Sequence, residues 1–151
     1  MHLGALTKPA LIFVELAGSD RPTVLKALAD GLVAGSVLTD SEVLYERLLE
    51  REELGSTAIG GGVAIPHCKM KDLDDVIVAI GISRRGVDFV SDDQQPVHLL
   101  FLVVSPEDKP ADHLRSLSAI SKWVTSRERV EEILEMDDPE AIYELLKVEE
   151  V

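Results

Sequence analysis

The sequence predicts an α/β fold, a three-layer sandwich in which one mixed β-sheet is flanked by helices on both faces. Two apolar runs of strand length, residues 76–82 (VIVAIGI) and 98–104 (HLLFLVV), have no polar alternation and must be covered on both sides. Around them lie several segments with apolar residues at helical spacing, each opened by a residue that caps helices. Strands interleaved with helices at this length scale are the pattern of a layered α/β domain.

In chain order, residues 1–9 form a short lead-in and residues 11–16 (LIFVEL) a first strand. Ser19 or Asp20 caps a helix with Pro22 in its first turn and Val24, Leu25, Leu28 and Leu32 inward; Gly31 and Gly35 mark its end. Thr39 and Glu42 form a capping box for a second helix, with Val43, Leu44, Leu48 and Leu49 as its inner stripe. Arg47 and Arg51 leave one side of this helix near its end, with Glu46, Glu50 and Glu53 available as salt-bridge partners. Residues 59–69 (IGGGVAIPHCK) then read as a flexible triple glycine, a buried extended segment, and His67 held by Pro66 at the end of a strand. A turn at 71–75 precedes the 76–82 strand. Residues 84–86 read as another turn, followed by a strand fragment at 87–89 and a polar loop at 91–96. After the 98–104 strand, Pro110 lies in the first turn of a helix that places His113 near its N-terminus, with Leu114, Leu117, Ile120 and Val124 inward. Thr125 and Glu128 cap the next helix, and Asp138 and Pro139 open the last, with Ile142, Leu145 and Leu146 inward.

At 151 residues and 46% apolar content the chain has enough material for one core, and a single domain spanning 1–151 is expected. No apolar run approaches the roughly 18 residues that a membrane span needs, and the N-terminus lacks a signal-peptide pattern. No membrane insertion is expected, and the location is read as cytoplasmic. Cys68 is the only cysteine, so no internal disulfide forms. Fifteen basic against twenty-eight acidic residues give a net charge of −13, which repels nucleic acid, so no nucleic-acid partner is expected.

Most chemistries fail on their motifs. The glycines Gly55, Gly60, Gly61 and Gly62 are followed by no Gly-Lys-Ser/Thr, and no dinucleotide fingerprint exists. His2, His67, His98 and His113 lack zinc-ligand spacing, and Cys68 has no second cysteine to close a site. Adjacent strand residues face opposite ways, so His67 is poorly placed as a base for Cys68. His98 reads as a structural residue starting a buried strand, and a strand-terminal His67 satisfied by a carbonyl is the ordinary alternative to chemistry there. What remains is His67 as a nucleophile that accepts a phosphoryl group, which requires a cation with a planar fork and further donors. Arg51, Thr57 and His113 are the candidates, within a local basic island of Arg47, Arg51, Lys69 and Lys71.

Residues 51–57 (REELGST), 59–67 (IGGGVAIPH) and the later His113-Leu-Arg-Ser-Leu together resemble the fructose/mannitol-type IIA domain of the phosphoenolpyruvate-dependent sugar phosphotransferase system, a family that includes nitrogen-regulatory IIA proteins. The resemblance extends over nearly the whole chain. It implies that His67 accepts phosphate from HPr or a related phosphocarrier protein and passes it to a IIB domain or acts on a regulatory target. It further implies that Arg51 is the motif's arginine and His113 the second active-site histidine. The mechanism expected from these residues has Arg51 balancing charge on the phosphoryl oxygens and His113 donating a hydrogen bond or aligning His67, with Thr57 a candidate for binding phosphate. No metal or other cofactor is implied, only the phosphoryl group of the carrier. The chain departs from the family at Gly61, where a polar residue is common, and at Cys68, where a small residue is common. The triple glycine is expected to give a partner's phosphohistidine clearance to reach His67. With no fused IIB domain in the sequence, the nitrogen-regulatory type is preferred to a sugar-transport component. An interaction domain without chemistry is disfavoured, because Arg51, His67 and His113 are all present.

Overall fold

The computed structural model describes residues 2–148, so residues 1 and 149–151 of the expected domain lie outside the described residues. In chain order the elements are β1 (Ile12–Phe13), α1 (Arg21–Ala34), α2 (Ser41–Glu53), β2 (Ala58–Gly60), β3 (Val63–Ala64), β4 (His67–Met70), β5 (Ile77–Val87), β6 (Val97–Pro106), α3 (Pro110–Trp123), α4 (Arg127–Glu135) and α5 (Pro139–Lys147). The strands form one sheet in the order β1-β5-β6-β3-β2, with β4 also paired to β6. β1 is parallel to β5, and β3 and β4 are parallel to β6, whereas β5–β6 and β2–β3 are antiparallel. The sheet is mixed, as the sequence predicts.

The two apolar runs are its centre. On β6, Leu100, Leu102 and Val104 enter one core with Leu25, Leu28 and Leu32 of α1 and Leu44 and Leu48 of α2. Leu99, Phe101 and Val103 enter the other, with Ile120 and Trp123 of α3, Ile133 of α4 and Ile142 of α5. Successive side chains of a strand point to opposite faces, so an unbroken apolar run supplies both cores at once. Each fully buried Leu, Ile or Phe contributes about 1.5–3 kcal/mol.

Several local expectations are corrected. The first strand is only Ile12–Phe13, because Pro9 starts a 3-10 turn through Leu11. Residues 84–86 are no turn between strands: β5 continues to Val87, and a bulge between Ile82 and Val87 absorbs them. Gly31 lies inside α1, and Gly35 is its C-cap. The cap of α2 is Asp40, which accepts from the backbone N–H of Glu42 and Val43 at 3.1 and 3.2 Å, in place of Thr39. A carboxylate both accepts these bonds and opposes the positive end of the helix. Likewise Ser126, not Thr125, caps α4. Val43 is 38% exposed, and on α3 the buried stripe is His113, Ser116, Ile120 and Trp123, with Leu114 66% exposed. That one-residue shift of phase turns His113 inward.

Candidate functional site

His67 is held on a strand interrupted by proline. β3 pairs Val63 with Leu99 and Ala64 with Leu100; β4 resumes in the same register with His67 opposite Val103 and Cys68 opposite Val104. His67 therefore begins a strand, correcting the expectation that it ends one. Pro66 has no N–H to give, but its carbonyl accepts from the Val103 N–H at 2.9 Å, so the register survives the break. On the opposite edge the Ile65 N–H donates to the Thr57 carbonyl at 3.0 Å, after which the neighbouring chain leaves the sheet. The Ile65 carbonyl is thus left available beside His67.

That carbonyl sets the state of the imidazole. His67 Nδ1 lies 2.8 Å from the Ile65 oxygen, and a carbonyl only accepts, so Nδ1 carries the proton. Nε2 then has the lone pair, and it accepts from Arg51 Nε–H at 3.2 Å. Burial lowers the His67 pKa; the Ile65 carbonyl opposes this, Arg51 adds to the lowering and Glu52 opposes it. The ring is neutral at pH 7 with one defined basic nitrogen.

Helices from both layers reach this sheet edge. From one face α2 brings Arg51, which also donates to the Gly55 carbonyl at 3.0 Å. Arg47, one turn earlier, donates to the Lys69 carbonyl and pairs with Glu107 at 3.2 Å, tying α2 to β4 and to the end of β6. Its ion-pair partner is thus Glu107 and none of the expected Glu46, Glu50 or Glu53. From the other face α3 brings His113, whose ring centroid is 5.5 Å from that of His67. Burial, then the neighbouring His67 and Lys69, push the His113 pKa down to about 4. Its Nδ1 is 2.7 Å from Oγ of Ser105, which is fully buried. Arg47, Glu50, Arg51, Leu54, His67, Cys68, Lys69 and His113 line an open depression of about 390 Å³. Three of the four predicted site residues therefore meet in one place.

Thr57 is the exception. Its N–H and hydroxyl donate to the two carboxylate oxygens of Glu52 at 3.0 and 2.5 Å, and both residues are buried. Arg21 lies 3.6 Å from the same carboxylate. Thr57 does not line the depression, and its one proton is committed to Glu52, so the structure gives it an anchoring place instead of a phosphate-binding one. The triple glycine is also elsewhere. Val63 pairs with Leu99 and His67 with Val103, four residues along β6, which puts the glycines roughly 13 Å or more from the histidine. The loop is held by Asp93, which accepts from the Gly61 N–H at 3.1 Å, and by Arg127, which donates to the Gly61 carbonyl at 2.7 Å. All three glycines have positive φ, the reason for their residue type. None of the three lines the depression beside His67. Cys68 points into the core opposite His67, and burial pushes its thiol up to about 12.

Two contributors were not found by sequence reasoning, Ser105 and Glu52. A lone hydroxyl closing the apolar run of β6 was a signal for the first; a glutamate inside Arg51-Glu-Glu-Leu carried none. Among the described residues no three His, Cys, Asp or Glu side chains converge as a metal site would require.

Residues 5–148 match the family model described as phosphoenolpyruvate-dependent sugar phosphotransferase system, EIIA 2. The chain belongs to this type-2 EIIA family. Among relatives of the EIIA chain, the nitrogen regulatory protein of Bradyrhizobium diazoefficiens is 35% identical over 97% of this chain and 95% of that protein. The PTS system fructose-specific EIIABC component of Bacillus subtilis is 31% identical over 97% of this chain but only 23% of its own length. The crystal structure of the nitrogen regulatory protein IIA-Ntr from Neisseria meningitidis superimposes with a TM-score of 0.88 at 26% identity, covering 96% of this chain and 99% of that one. The EIIA chain is therefore a component of a phosphotransfer system, and the fold read from the sequence is that of its relatives. No helix among the described residues is long and apolar enough to cross a membrane.

Proposed function

We propose that this EIIA chain is a phosphohistidine carrier that accepts a phosphoryl group on His67 Nε2 from the phosphohistidine of an HPr-like phosphocarrier protein. The observation that carries the reading is the Nδ1–H bond to the Ile65 carbonyl, which leaves Nε2 as the basic nitrogen in an open depression. In the transfer, Nε2 donates its lone pair to phosphorus, the P–N bond to the donor histidine breaks, and that electron pair returns to the donor ring. Nδ1 keeps its proton, and the positive charge developing on the His67 ring is held by the Ile65 oxygen. Arg51 must first leave Nε2; its guanidinium fork then balances charge on the phosphoryl oxygens, and His113 donates from the side. The proposed transfer uses no metal or organic cofactor.

The same reading favours a nitrogen-regulatory role in the cytoplasm, since likeness to the Bradyrhizobium protein covers nearly all of both chains. The output is then a regulatory target whose binding depends on phosphorylation of His67. The fructose-specific relative favours the second reading, in which the phosphoryl group passes to a IIB domain and on to sugar. Incubation with phosphoenolpyruvate, enzyme I and phosphocarrier, followed by mass spectrometry at neutral or alkaline pH, tests the common core of both. Phosphate is expected on His67 and absent in His67→Ala. Phosphate on another residue, or labelling that survives this substitution, overturns the proposal. Transfer onward to a purified IIB domain separates transport from regulation.

A further inference from the structure

The last core position of β6 is a hydroxyl. Ser105 has no solvent exposure, and the only hydrogen-bond partner of its Oγ among the described residues is His113 Nδ1, at 2.7 Å. Two arrangements satisfy that distance. If the ring donated from Nδ1–H, the hydroxyl proton of Ser105 would be buried with no acceptor, which costs a full desolvation penalty. If Ser105 donates, its one proton is used, and only lone pairs remain unpaired. Oγ–H to Nδ1 is the favoured bond, so the neutral His113 ring carries its proton on Nε2.

His67 has the opposite arrangement, with the proton on Nδ1 and the lone pair on Nε2. His113 Nε2–H has no hydrogen-bond partner among the described residues, and its ring lines the same depression as His67.

We propose that Ser105 is a positioning residue that fixes the tautomer of His113, so that His113 presents an N–H donor to the phosphoryl group on His67. A phosphoryl oxygen only accepts, so the Nδ1–H tautomer of His113 would meet it with a lone pair and repel it. The link from tautomer to phosphoryl contact rests on the reading of His67 as carrier; the tautomer itself does not.

The experiment therefore has two separate readouts. Long-range ¹H–¹⁵N correlation spectra of the ¹⁵N-labelled chain report the tautomer of each histidine without any phosphoryl donor. The parent is expected to show His113 protonated on Nε2 and His67 on Nδ1. In Ser105→Ala the His113 preference should be lost, while His67 is unchanged. The rate of phosphorylation from phosphocarrier should fall about tenfold, the kinetic equivalent of one charge-assisted hydrogen bond. Ser105→Thr, which retains the hydroxyl, should restore both tautomer and rate. A parent spectrum with His113 protonated on Nδ1 overturns the proposal even if no variant folds. So does a Ser105→Ala protein with an unchanged His113 tautomer, or with the tautomer lost but the rate at parent level. A parent that never takes phosphate on His67 defeats the carrier reading and leaves the tautomer result standing.

Discussion

Arg51 donates to the lone pair of His67 Nε2, and in the proposed transfer the same guanidinium turns to the phosphoryl oxygens. On that proposal its contribution is kinetic more than structural. Arg51→Ala is expected to slow phosphorylation of His67 by about 100-fold, while urea denaturation shifts by no more than about 1 kcal/mol, since its helix-end bond to Gly55 is exposed. Arg51→Lys keeps the charge but not the fork, and should recover only part of the rate. Thr57 is expected to behave in the opposite way. Thr57→Val removes the proton that satisfies a buried Glu52 oxygen and should cost about 1–3 kcal/mol in denaturant titration, with the site of phosphorylation still His67. Selective loss of labelling in a stable Thr57→Val protein would return Thr57 to the phosphate site. Arg51, His67 and His113 were legible in the sequence because their types suit phosphoryl transfer and the motifs that carry them resemble those of the EIIA family. Ser105 and Glu52 were not, because a lone serine or glutamate carries no motif, and its partner is fixed only by how α3 packs on β6 and how the chain turns after α2.

At the level of elements, what was legible was type and order, and what was not was phase. Asp40 and Thr39 make a direct comparison. Asp40→Ala should cost about 1 kcal/mol in thermal or chemical unfolding, whereas Thr39→Ala should be close to neutral, the reverse of what a Thr39 capping box requires. Helical periodicity on α3 marked an apolar face through Leu114, yet the buried face runs through His113 and Ser116. Apolar residues alone could not reveal this, because the buried face carries the polar His113 and Ser116. The triple-glycine loop makes the same point about place. Gly61 has φ +65°, and a Cβ there would lie 3.4 Å from Arg127 Nη1. Gly61→Ala is expected to cost about 1–2 kcal/mol in stability and to leave the phosphorylation rate of His67 unchanged. A slowed rate in a folded Gly61→Ala protein would restore the loop to the site.

Across the whole molecule, the two site histidines link stability to acid. His113 has a pKa near 4 in the folded protein against about 6.5 unfolded, and burial lowers that of His67 as well. Between these values the unfolded chain binds more protons, so the stability these rings contribute is complete above about pH 6.5 and is lost as pH falls towards 4. His113 alone should account for about 2 kcal/mol between pH 7 and pH 5. Relief of repulsion within a chain of net charge −13 acts the other way as pH falls, so the decisive measurement is a comparison. Urea titrations of the parent at the two pH values should show a clear loss, and His113→Asn should show a smaller one. Equal slopes would mean that His113 is not held neutral by its surroundings.

By itself the sequence determined the strand and helix alternation, the two central strands and the residue types on which the proposed role of His67 rests. Those are local properties: apolar runs, helical spacing and motif chemistry are written in consecutive residues. The tertiary structure decided which nitrogen of each histidine is basic, which hydroxyl faces which ring, and that the glycine loop lies at the other end of β3. These depend on parallel pairing of β4 with β6 and on helices from both layers meeting at one sheet edge. The Ile65 carbonyl is a local neighbour of His67, but Ser105 and Arg51 reach the imidazoles only because β6, α2 and α3 pack around β4.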